Sequence, residues 1–295
     1  MGIGTQIVLQ DAVNGLLLGG VYAAVAVGFS LVWGVLNVVN LAHGALVMLG
    51  AYATYWFAAS GHLDPLATLP VVGYALFLFG YGLQRFVINR VIGTSFLVTF
   101  LLTFGLQLLI TNLALAWWTA DVRSVTTAYS GWALTVGAVV VPAVRLVGAG
   151  AAVLMAAALA AIMRWTQFGM AVQATALDRE AARLMGIPVA RIYARTFALA
   201  AATAGMAGGL ISLSFPIFPA MGTGYTLVAF VVCVLGGLGS VAGAVVGGFL
   251  LGLAQTFASA WVGPNYNNIV AFSALILMLV VRPAGLFGRA GHFRG

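Results

Sequence analysis

The chain has 295 residues, of which 63% are hydrophobic and only 6% charged. Because a soluble domain averages about 25% charged residues, this composition excludes a soluble fold and predicts an all-α polytopic membrane protein. A spanning helix needs about 20 apolar residues, so the chain has room for roughly eight to ten transmembrane helices and little else. We therefore expect a single transmembrane domain over residues 1–295.

The charge pattern fits a membrane protein better than a nucleic-acid-binding protein. The net charge is +7, and every positive side chain is an arginine. Arginines at the cytoplasmic face orient a membrane protein and meet anionic lipid. The single Cys233 excludes a disulfide within the chain, and we expect no cysteine-based metal site. The first arginine is Arg85, so we expect no cleaved signal peptide with a basic N-terminal region.

Apolar runs, taken in chain order, predict nine membrane spans with soft boundaries. They lie at residues 10–33, 42–60, 66–84, 96–118, 147–164, 193–213, 225–238, 243–261 and 267–281. The segment 34–44 fits either a connection or a broken, re-entrant helix. The glycine-rich stretch 236–248 has the same two interpretations, so the number of spans stays open by one in either direction.

Arginine clusters predict the orientation of these spans. With nine spans, three clusters fall on one side, which the positive-inside rule makes cytoplasmic. The clusters are Arg85 with Arg90, then Arg164, Arg179, Arg183, Arg191 and Arg195, then Arg282, Arg289 and Arg294. The N-terminus is then outside and the C-terminus cytoplasmic. Arg145 is a mild exception near the outer end of a span.

Polar side chains interrupt the apolar stretch VLNVVNLAHGALV, residues 35–47. On a helix, Asn37, Asn40, His43 and Gly44 fall within about a third of the circumference. They cannot face lipid, because an unpaired polar group in hydrocarbon costs several kcal/mol. They therefore line a substrate pathway or hinge, or they form hydrogen bonds between helices. For His43 taken singly, the structural role is favoured.

The fourth predicted span carries a narrow polar stripe. Thr99, Thr103, Gln107 and Thr111 follow one another at four-residue steps, which places them on one helix face. Such a stripe suits a passing solute. Threonine also bonds back to its own helix backbone, so a purely local role stays open.

Glycine spacing indicates close helix packing. Gly15 and Gly19, and likewise Gly239, Gly243 and Gly247, show the small-xxx-small pattern of membrane helix interfaces. The sequence also shows weak internal similarity, because VLNVVNLAHGALV aligns with VLGGLGSVAGAVV at residues 234–246. Transporters often contain internal repeats with broken helices, although chance similarity of small residues explains the match equally well.

The sequence lacks the residues of several function classes. Without lysine there is no Walker A motif, so the chain cannot hydrolyse ATP in the P-loop manner. Asp11 is the only acid near the core of a span, and it lies close to an end, which disfavours a proton-coupled relay, whereas sodium coupling through carbonyls and hydroxyls survives. No cluster has metal-ligand spacing, and Ser240 lacks the G-x-S-x-G setting of a nucleophile. We expect no enzyme, no catalytic residue, no metal and no cofactor.

The segment at about residues 165–192 is the only place where both signs of charge cluster. Asp178 and Glu180 lie at the front of a predicted short helix, where acids suit the helix dipole, and Arg183 follows. Gly186 and Pro188 are typical of a helix end. The pattern favours a short docking helix on the cytoplasmic side over an ordinary solvated loop.

Here the sequence resembles a known family. EAARLMG, at residues 180–186, fits the E-A-A-x-x-x-G pattern of the coupling helix in ABC-importer permeases. The stretch 15–52, with its N-x-A-H-G element at 40–44, resembles the start of the branched-chain amino acid permeases of the LivH type. Two further blocks, within residues 176–210 and 231–248, resemble later parts of the same family in the same order. A minor departure is Gln84 with Arg85, where an acidic-basic start is more usual.

The resemblance implies a type II-like ABC importer permease fold and a set of partners. These are a paralogous, LivM-like permease, two cytoplasmic ATPase subunits that bind ATP and magnesium, and a periplasmic or lipid-anchored solute-binding protein. The implied ATPase-coupling residues are Asp178, Arg179, Glu180, Ala181, Ala182, Arg183 and Gly186. Glu180 and Arg183 would contact the ATPase, Ala181 and Ala182 would allow close packing, and Gly186 would set the turn.

Three hypotheses follow for the function. The first is a permease in the bacterial inner membrane that imports branched-chain or other apolar amino acids, with urea and short amides as alternative substrates in the same family. The second is a sodium-coupled carrier that acts alone. The third is a membrane scaffold without transport. The isolated docking helix and the missing intramembrane acids favour the first over the second.

Overall fold

The computed structural model describes residues 3–61, 63–137 and 139–288, and most of these are helical. The long and medium helices are α1 (Ile3–Leu36), α2 (His43–Gly61), α3 (Pro65–Phe86), α4 (Phe96–Trp118), α5 (Ala143–Trp165), α8 (Val189–Ser212), α9 (Met221–Gly236), α10 (Val241–Trp261) and α11 (Asn267–Val281). Two shorter helices, α6 (Gln167–Leu177) and α7 (Arg179–Leu184), lie between α5 and α8. A hairpin of β1 (Ala133–Val136) and β2 (Val139–Pro142) precedes α5.

Each predicted span coincides with one of the nine long and medium helices, which confirms the all-α polytopic class. Among the described residues, six helical segments are long and apolar enough to cross a membrane: Gln6–Leu36, Pro65–Arg90, Phe96–Trp118, Ala143–Trp165, Val189–Ser212 and Val241–Trp261. The first helix extends well beyond the predicted 10–33. Helices α9 and α11 are shorter apolar helices, and the hairpin and α6 were not predicted.

The centre of the bundle is formed by α1 and α8, the two most deeply buried candidate spans. Helices α2 and α3 pack on one side of α8, while α10, α5 and α9 pack around α1. Helix α4 is peripheral and packs chiefly against α2, so most of its surface is apolar and exposed. The buried face of α4 bonds to the connection between α1 and α2 and to the first turn of α9.

Glycines allow the close helix crossings that their spacing predicted. A Cβ at Gly19 in α1 would lie 2.6 Å from the Phe249 Cα in α10, and a Cβ at Gly50 in α2 would overlap the Gly205 carbonyl in α8. Side chains would therefore push these helix pairs apart. Small residues at such crossings let backbones gain van der Waals contact in lipid, where no hydrophobic effect draws helices together.

Both ambiguous stretches are breaks between helices. Helix α1 ends at Leu36 and α2 begins at His43, and Asn37 adopts a left-handed backbone with a φ of 52°. Asparagine tolerates that conformation better than most residues. Helix α9 ends at Gly236 and α10 begins at Val241. The two internally similar stretches, residues 35–47 and 234–246, thus share a helix-break-helix pattern.

The tail after α11 returns to the end of α9. The backbone N–H of Leu286 donates to the Leu235 carbonyl at 3.0 Å, and that of Phe287 donates to the Gly236 carbonyl at 2.9 Å. The last carbonyls of a helix have no partner within the helix. The tail therefore supplies hydrogen bonds that the α9–α10 break leaves open. Arg289 and Arg294 lie outside the described residues.

The helices give the molecule two ends of different charge. The end that contains α7, called the α7 end, carries most of the described arginines and two acids: Arg85, Arg90, Arg164, Arg179, Arg183, Arg191, Arg195 and Arg282, with Asp178 and Glu180. The opposite end, called the hairpin end, carries Asp11, Asp64, Asp121, Arg123 and Arg145. The described members of the three arginine clusters therefore share one end of the molecule.

Long-range bonds fasten the loops at the hairpin end. Arg123 and Ile217 exchange backbone hydrogen bonds of 2.9 and 2.8 Å, which joins the loops that follow α4 and α8. The Tyr129 hydroxyl donates to Asp64 at 3.3 Å. Burial and the neighbouring Asp64 carboxylate raise the pKa of Tyr129 to about 12, so this donor keeps its proton at neutral pH.

Candidate functional site

Helix α7 is a short helix with a defined start and stop. The Asp178 side chain caps it by accepting hydrogen bonds from the backbone N–H of Glu180 at 2.8 Å and of Ala181 at 3.0 Å. Gly186 follows with a φ of 80°, which favours glycine, and Pro188 precedes α8. The predicted helix and its predicted end at Gly186 are both confirmed.

The exposed side of α7 offers both charge and apolar surface. Glu180 and Arg183 form an exposed ion pair at 3.1 Å, and Ala181 is exposed beside them. Leu184 and Met185, at 89% and 82% exposed, extend that surface at the helix end. Exposed apolar patches bordered by polar groups are typical of protein interfaces.

Ala182 has a different place from the predicted one. It is only 4% exposed and belongs to the hydrophobic core of this chain. Its close packing therefore seats α7 on the rest of the molecule and leaves Ala181 as the alanine that faces outward. Arg179, at the first position of α7, lines a cavity together with Asp178 and Glu180.

A hydroxyl from α9 contacts both the connection between α1 and α2 and the first turn of α2. The Thr226 Oγ1 accepts from the Gly44 N–H at 2.9 Å and lies 3.2 Å from the Leu41 carbonyl oxygen. A Cβ on Gly44 would overlap the Gly222 carbonyl, so α2 and α9 meet backbone to backbone. Asn40 is 2% exposed, and its Oδ1 has no partner among the described residues.

The four residues Asn37, Asn40, His43 and Gly44 do not share one helix face, because Asn37 and Asn40 lie in the break. His43 begins α2, is fully buried, and its Nε2 lies 2.8 Å from the Val25 carbonyl oxygen of α1. Its ring meets Phe29 edge to face, with 5.4 Å between centroids. These contacts support a packing role for His43, in line with the interpretation favoured from sequence.

Thr99, Thr103 and Gln107 of the polar stripe of α4 are buried, and Thr111 is half-buried. The Thr103 Oγ1 lies 3.0 Å from the carbonyl oxygens of both Val39 and Phe100, and the Gln107 Nε2 donates to the Thr223 Oγ1 at 3.0 Å. Thr103 and Gln107 therefore attach α4 to the α1–α2 break and to α9. Thr99 is buried in the same stripe and lines the cavity beside α7.

One cavity joins the break to the short helix. It has a volume of about 590 Å³ at the α7 end. Its lining includes Asn37 from the break, Thr99 from α4, and Asp178, Arg179 and Glu180. Two of the predicted pathway residues and three of the predicted coupling residues thus border the same space, so movement of α7 changes the shape of that cavity.

Comparison with known proteins decides the family. A family described as the branched-chain amino acid transport system / permease component matches residues 12–281. The chain belongs to this permease family. Members are membrane-spanning permease subunits of ATP-driven ABC importers, so this chain is a transport subunit and a multi-pass membrane protein.

Individual relatives match almost end to end. The permease is 30% identical to the high-affinity branched-chain amino acid transport system permease protein BraD of Pseudomonas aeruginosa, covering 95% of this chain and 96% of that protein. It is 31% identical to LivH of Escherichia coli K12 over the same shares. A probable LivH of Methanocaldococcus jannaschii is 25% identical, covering 97% and 93%. No solved structure matches the chain.

Sequence reasoning missed two features of this permease. Thr226, which contacts the break, is one threonine in an apolar helix and carries no distinguishing pattern. Leu184 and Met185 look like ordinary apolar residues in a chain that is mostly apolar. Their position directly before Gly186 was the available signal, because consecutive large apolar residues are unusual at the exposed end of a charged helix.

Proposed function

We propose that this permease imports branched-chain or other apolar amino acids across the bacterial cytoplasmic membrane. The relatives named as branched-chain amino acid permeases cover nearly the whole chain. Buried polar groups of the transmembrane region, such as Thr103, Gln107 and Asn40, are neutral. A neutral interior suits a zwitterion with an aliphatic side chain better than a strongly charged solute.

The basic α7 end lies in the cytoplasm under this proposal, with the N-terminus and the hairpin outside and the C-terminus inside. Arginines are enriched on cytoplasmic segments near membrane spans and attract anionic lipid there. The whole chain acts as one permease domain and pairs with a paralogous, LivM-like permease. It has no ATPase site of its own, and ATP and magnesium bind to two cytoplasmic ATPase subunits. A periplasmic or lipid-anchored binding protein delivers the solute.

The cavity bordered by both α7 and the α1–α2 break supports a coupling of ATPase movement to transport. When the ATPase subunits close on ATP, they push on the exposed face of α7, formed by Glu180, Arg183 and Leu184. Buried Ala182 transmits the push into the bundle. Asn37 and Thr99 border the cavity that then changes shape, which alternates access between the two membrane faces. Asn40, His43, Gly44, Thr103 and Gln107 hold the walls of that pathway.

A matched glycine pair tests this role of α7. Gly186 and Gly137 both have a positive φ, and a Cβ at either position would meet no other atom within 4 Å. Gly186→Ala therefore strains the end of α7 to a similar degree as Gly137→Ala strains the distant hairpin turn. In proteoliposomes containing the whole complex, we expect Gly186→Ala and Glu180→Ala to keep ATP hydrolysis while solute uptake falls. Uptake equal to that of Gly137→Ala would contradict a coupling role.

Co-purification tests the partners. Tagged chain extracted from its native membrane should bring two ATPase subunits and a second permease with it. Recovery of the chain alone, under detergent conditions that keep known importers intact, would favour a sodium-coupled carrier. Uptake driven by an ion gradient in liposomes that contain only this chain would then establish that alternative.

A further inference from the structure

A second cavity lies at the hairpin end, far from α7. It has a volume of about 260 Å³ and is lined by residues of α1, α5, α8, α10, α11 and the start of the loop after α8. Sites for drug-sized ligands span about 300–1,000 Å³. The smaller volume suits a compact solute, and the cavity faces the side from which the proposed importer receives its substrate.

The rim of this cavity is polar and carries one positive charge. The Arg145 Nη1 donates to the Asn14 Oδ1 at 3.3 Å, and no described carboxylate lies within 4 Å of the guanidinium. The Ser259 hydroxyl donates to the Asn267 Oδ1 at 2.7 Å, and the Gln255 Nε2 donates to the Asn267 carbonyl at 3.2 Å. The lining contains no acid. An unpaired guanidinium next to fixed carbonyl and hydroxyl oxygens is suited to a carboxylate and an ammonium held side by side.

Much of the remaining wall is apolar, although Ser214 and Thr256 also belong to it. Leu17, Leu18 and Val21 of α1 and Leu210 of α8 line the cavity beside the polar rim. Pockets that combine apolar walls with a few convergent polar groups are typical of small-molecule sites. An aliphatic side chain placed against these residues would leave its backbone charges at Arg145 and at the amide and hydroxyl oxygens.

We propose that this cavity is a solute site for a zwitterionic amino acid with an aliphatic side chain, occupied before the solute moves toward the α7 end. The proposal rests on the proposed function, because it assumes that such amino acids are the transported solutes. Arg145 binds the carboxylate, the oxygens of Asn14 and Ser259 accept from the ammonium group, and the leucines and Val21 contact the side chain.

The proposal also accounts for the position of Arg145. This arginine departs from the cytoplasmic enrichment of positive charge, and its guanidinium pairs with no acid among the described residues. Arginine near the outer end of a span is unfavourable for orientation. A carboxylate that passes through the site gives it a partner that the chain itself does not supply.

A matched glycine pair on α5 tests the cavity. Gly148 is buried and lines the cavity, yet a Cβ there would meet no atom within 4 Å, so a larger side chain can start at this position without a clash at its Cβ. Gly150 also has open space at its Cβ and is exposed. At 3.6 residues per turn the two glycines lie on nearly opposite faces of α5.

In proteoliposomes of the complete complex, Gly148→Leu should lower L-leucine uptake by about tenfold or more, because the solute is excluded from the filled cavity. Gly150→Leu should transport as the unchanged complex does.

A chemical probe tests occupancy directly. The only cysteine, Cys233, is buried, so Thr256→Cys, at a lining residue with no assigned role in binding, provides a single reactive thiol of this chain at the cavity. L-Leucine should protect that thiol from a membrane-impermeant maleimide, whereas L-lysine should not. Arg145→Gln should weaken the protection, and Arg145→Lys should restore part of it. Ser124→Cys, in an exposed outer loop, should label at the same rate with and without L-leucine.

The outcomes separate the two proposals. If the unchanged complex imports L-leucine but Gly148→Leu transports equally well, or if L-leucine gives Thr256→Cys no protection, the site is overturned and the proposed function stands. Should Gly148→Leu fail to assemble, the protection experiment alone decides. Protection by anionic phospholipid in nanodiscs without any effect of L-leucine would assign the cavity to lipid and overturn the proposal. If the unchanged complex imports no branched-chain amino acid, the proposed function fails and this site falls with it.

Discussion

Replacing Thr226 with valine removes one hydroxyl from the junction of the α1–α2 break with α9. Valine keeps the shape of threonine and loses only the polar group. In the structure that group accepts from the Gly44 N–H at 2.9 Å and lies 3.2 Å from the carbonyl oxygens of Leu41 and Gly222. Gly44 is in the first turn of α2, where a backbone N–H has no partner within the helix. The variant therefore leaves a buried donor unsatisfied.

The expected cost follows from that donor. Leaving a buried N–H without a partner costs about 1–3 kcal/mol, and Gly44 is buried. Thr226→Ser keeps the hydroxyl and loses only a methyl group, which costs about 0.5–1.5 kcal/mol by comparison with isoleucine-to-valine changes. We therefore expect the valine variant to be the less stable of the two.

Thermal stability of the purified complex in detergent measures the difference. The temperature at which the complex loses its monodisperse elution should fall further for Thr226→Val than for Thr226→Ser. If shape alone mattered, the order would reverse, since valine is the closer match in volume. A midpoint for Thr226→Val at or above that of Thr226→Ser would therefore refute the assigned role of the hydroxyl.

Three further changes have expected outcomes. Asp178→Ala removes the N-terminal cap of α7 and should weaken that helix by about 0.5–2 kcal/mol, so uptake by the complex should fall while Asp178→Asn retains most of it. Gly50→Ala forces a methyl group onto the Gly205 carbonyl and should reduce the yield of intact complex, whereas Gly82→Ala, with open space at its Cβ, should not. Serine in place of both Leu184 and Met185 should reduce co-purification of the ATPase subunits, and unchanged recovery would show that this apolar surface is not their docking face.

The long helices and the short helix α7 were predictable because their signals are local. Apolar runs of membrane length stand out against any loop, and Asp178 and Gly186 mark the two ends of α7 by their own backbone chemistry. Even the buried stripe of Thr103 and Gln107 follows from one helix period. Each of these inferences needs only a window of neighbouring residues.

The break was harder because its conformation depends on distant parts of the chain. A helix continued through Asn37 and Asn40 would place both on one face with His43, and nothing nearby forbids it. The left-handed Asn37 and the Thr226 hydrogen bond become possible only when α9 lies against α2. The lining of both cavities depends in the same way on helices far apart in sequence. Tertiary packing thus decides the functional geometry that local patterns leave open.

The tail bonded to the end of α9 has a consequence for the order of folding. During synthesis α9 and α10 reach the membrane before α11 does, and Leu286 and Phe287 emerge later still. Until then the carbonyls of Leu235 and Gly236 lack the hydrogen bonds that the tail donates to them. The α9–α10 break therefore reaches its final conformation as one of the last events of biogenesis. A ribosome-bound chain stopped before residue 286 should already have formed nearly all of its helices, while the two hydrogen bonds between the tail and the end of α9 have not yet formed.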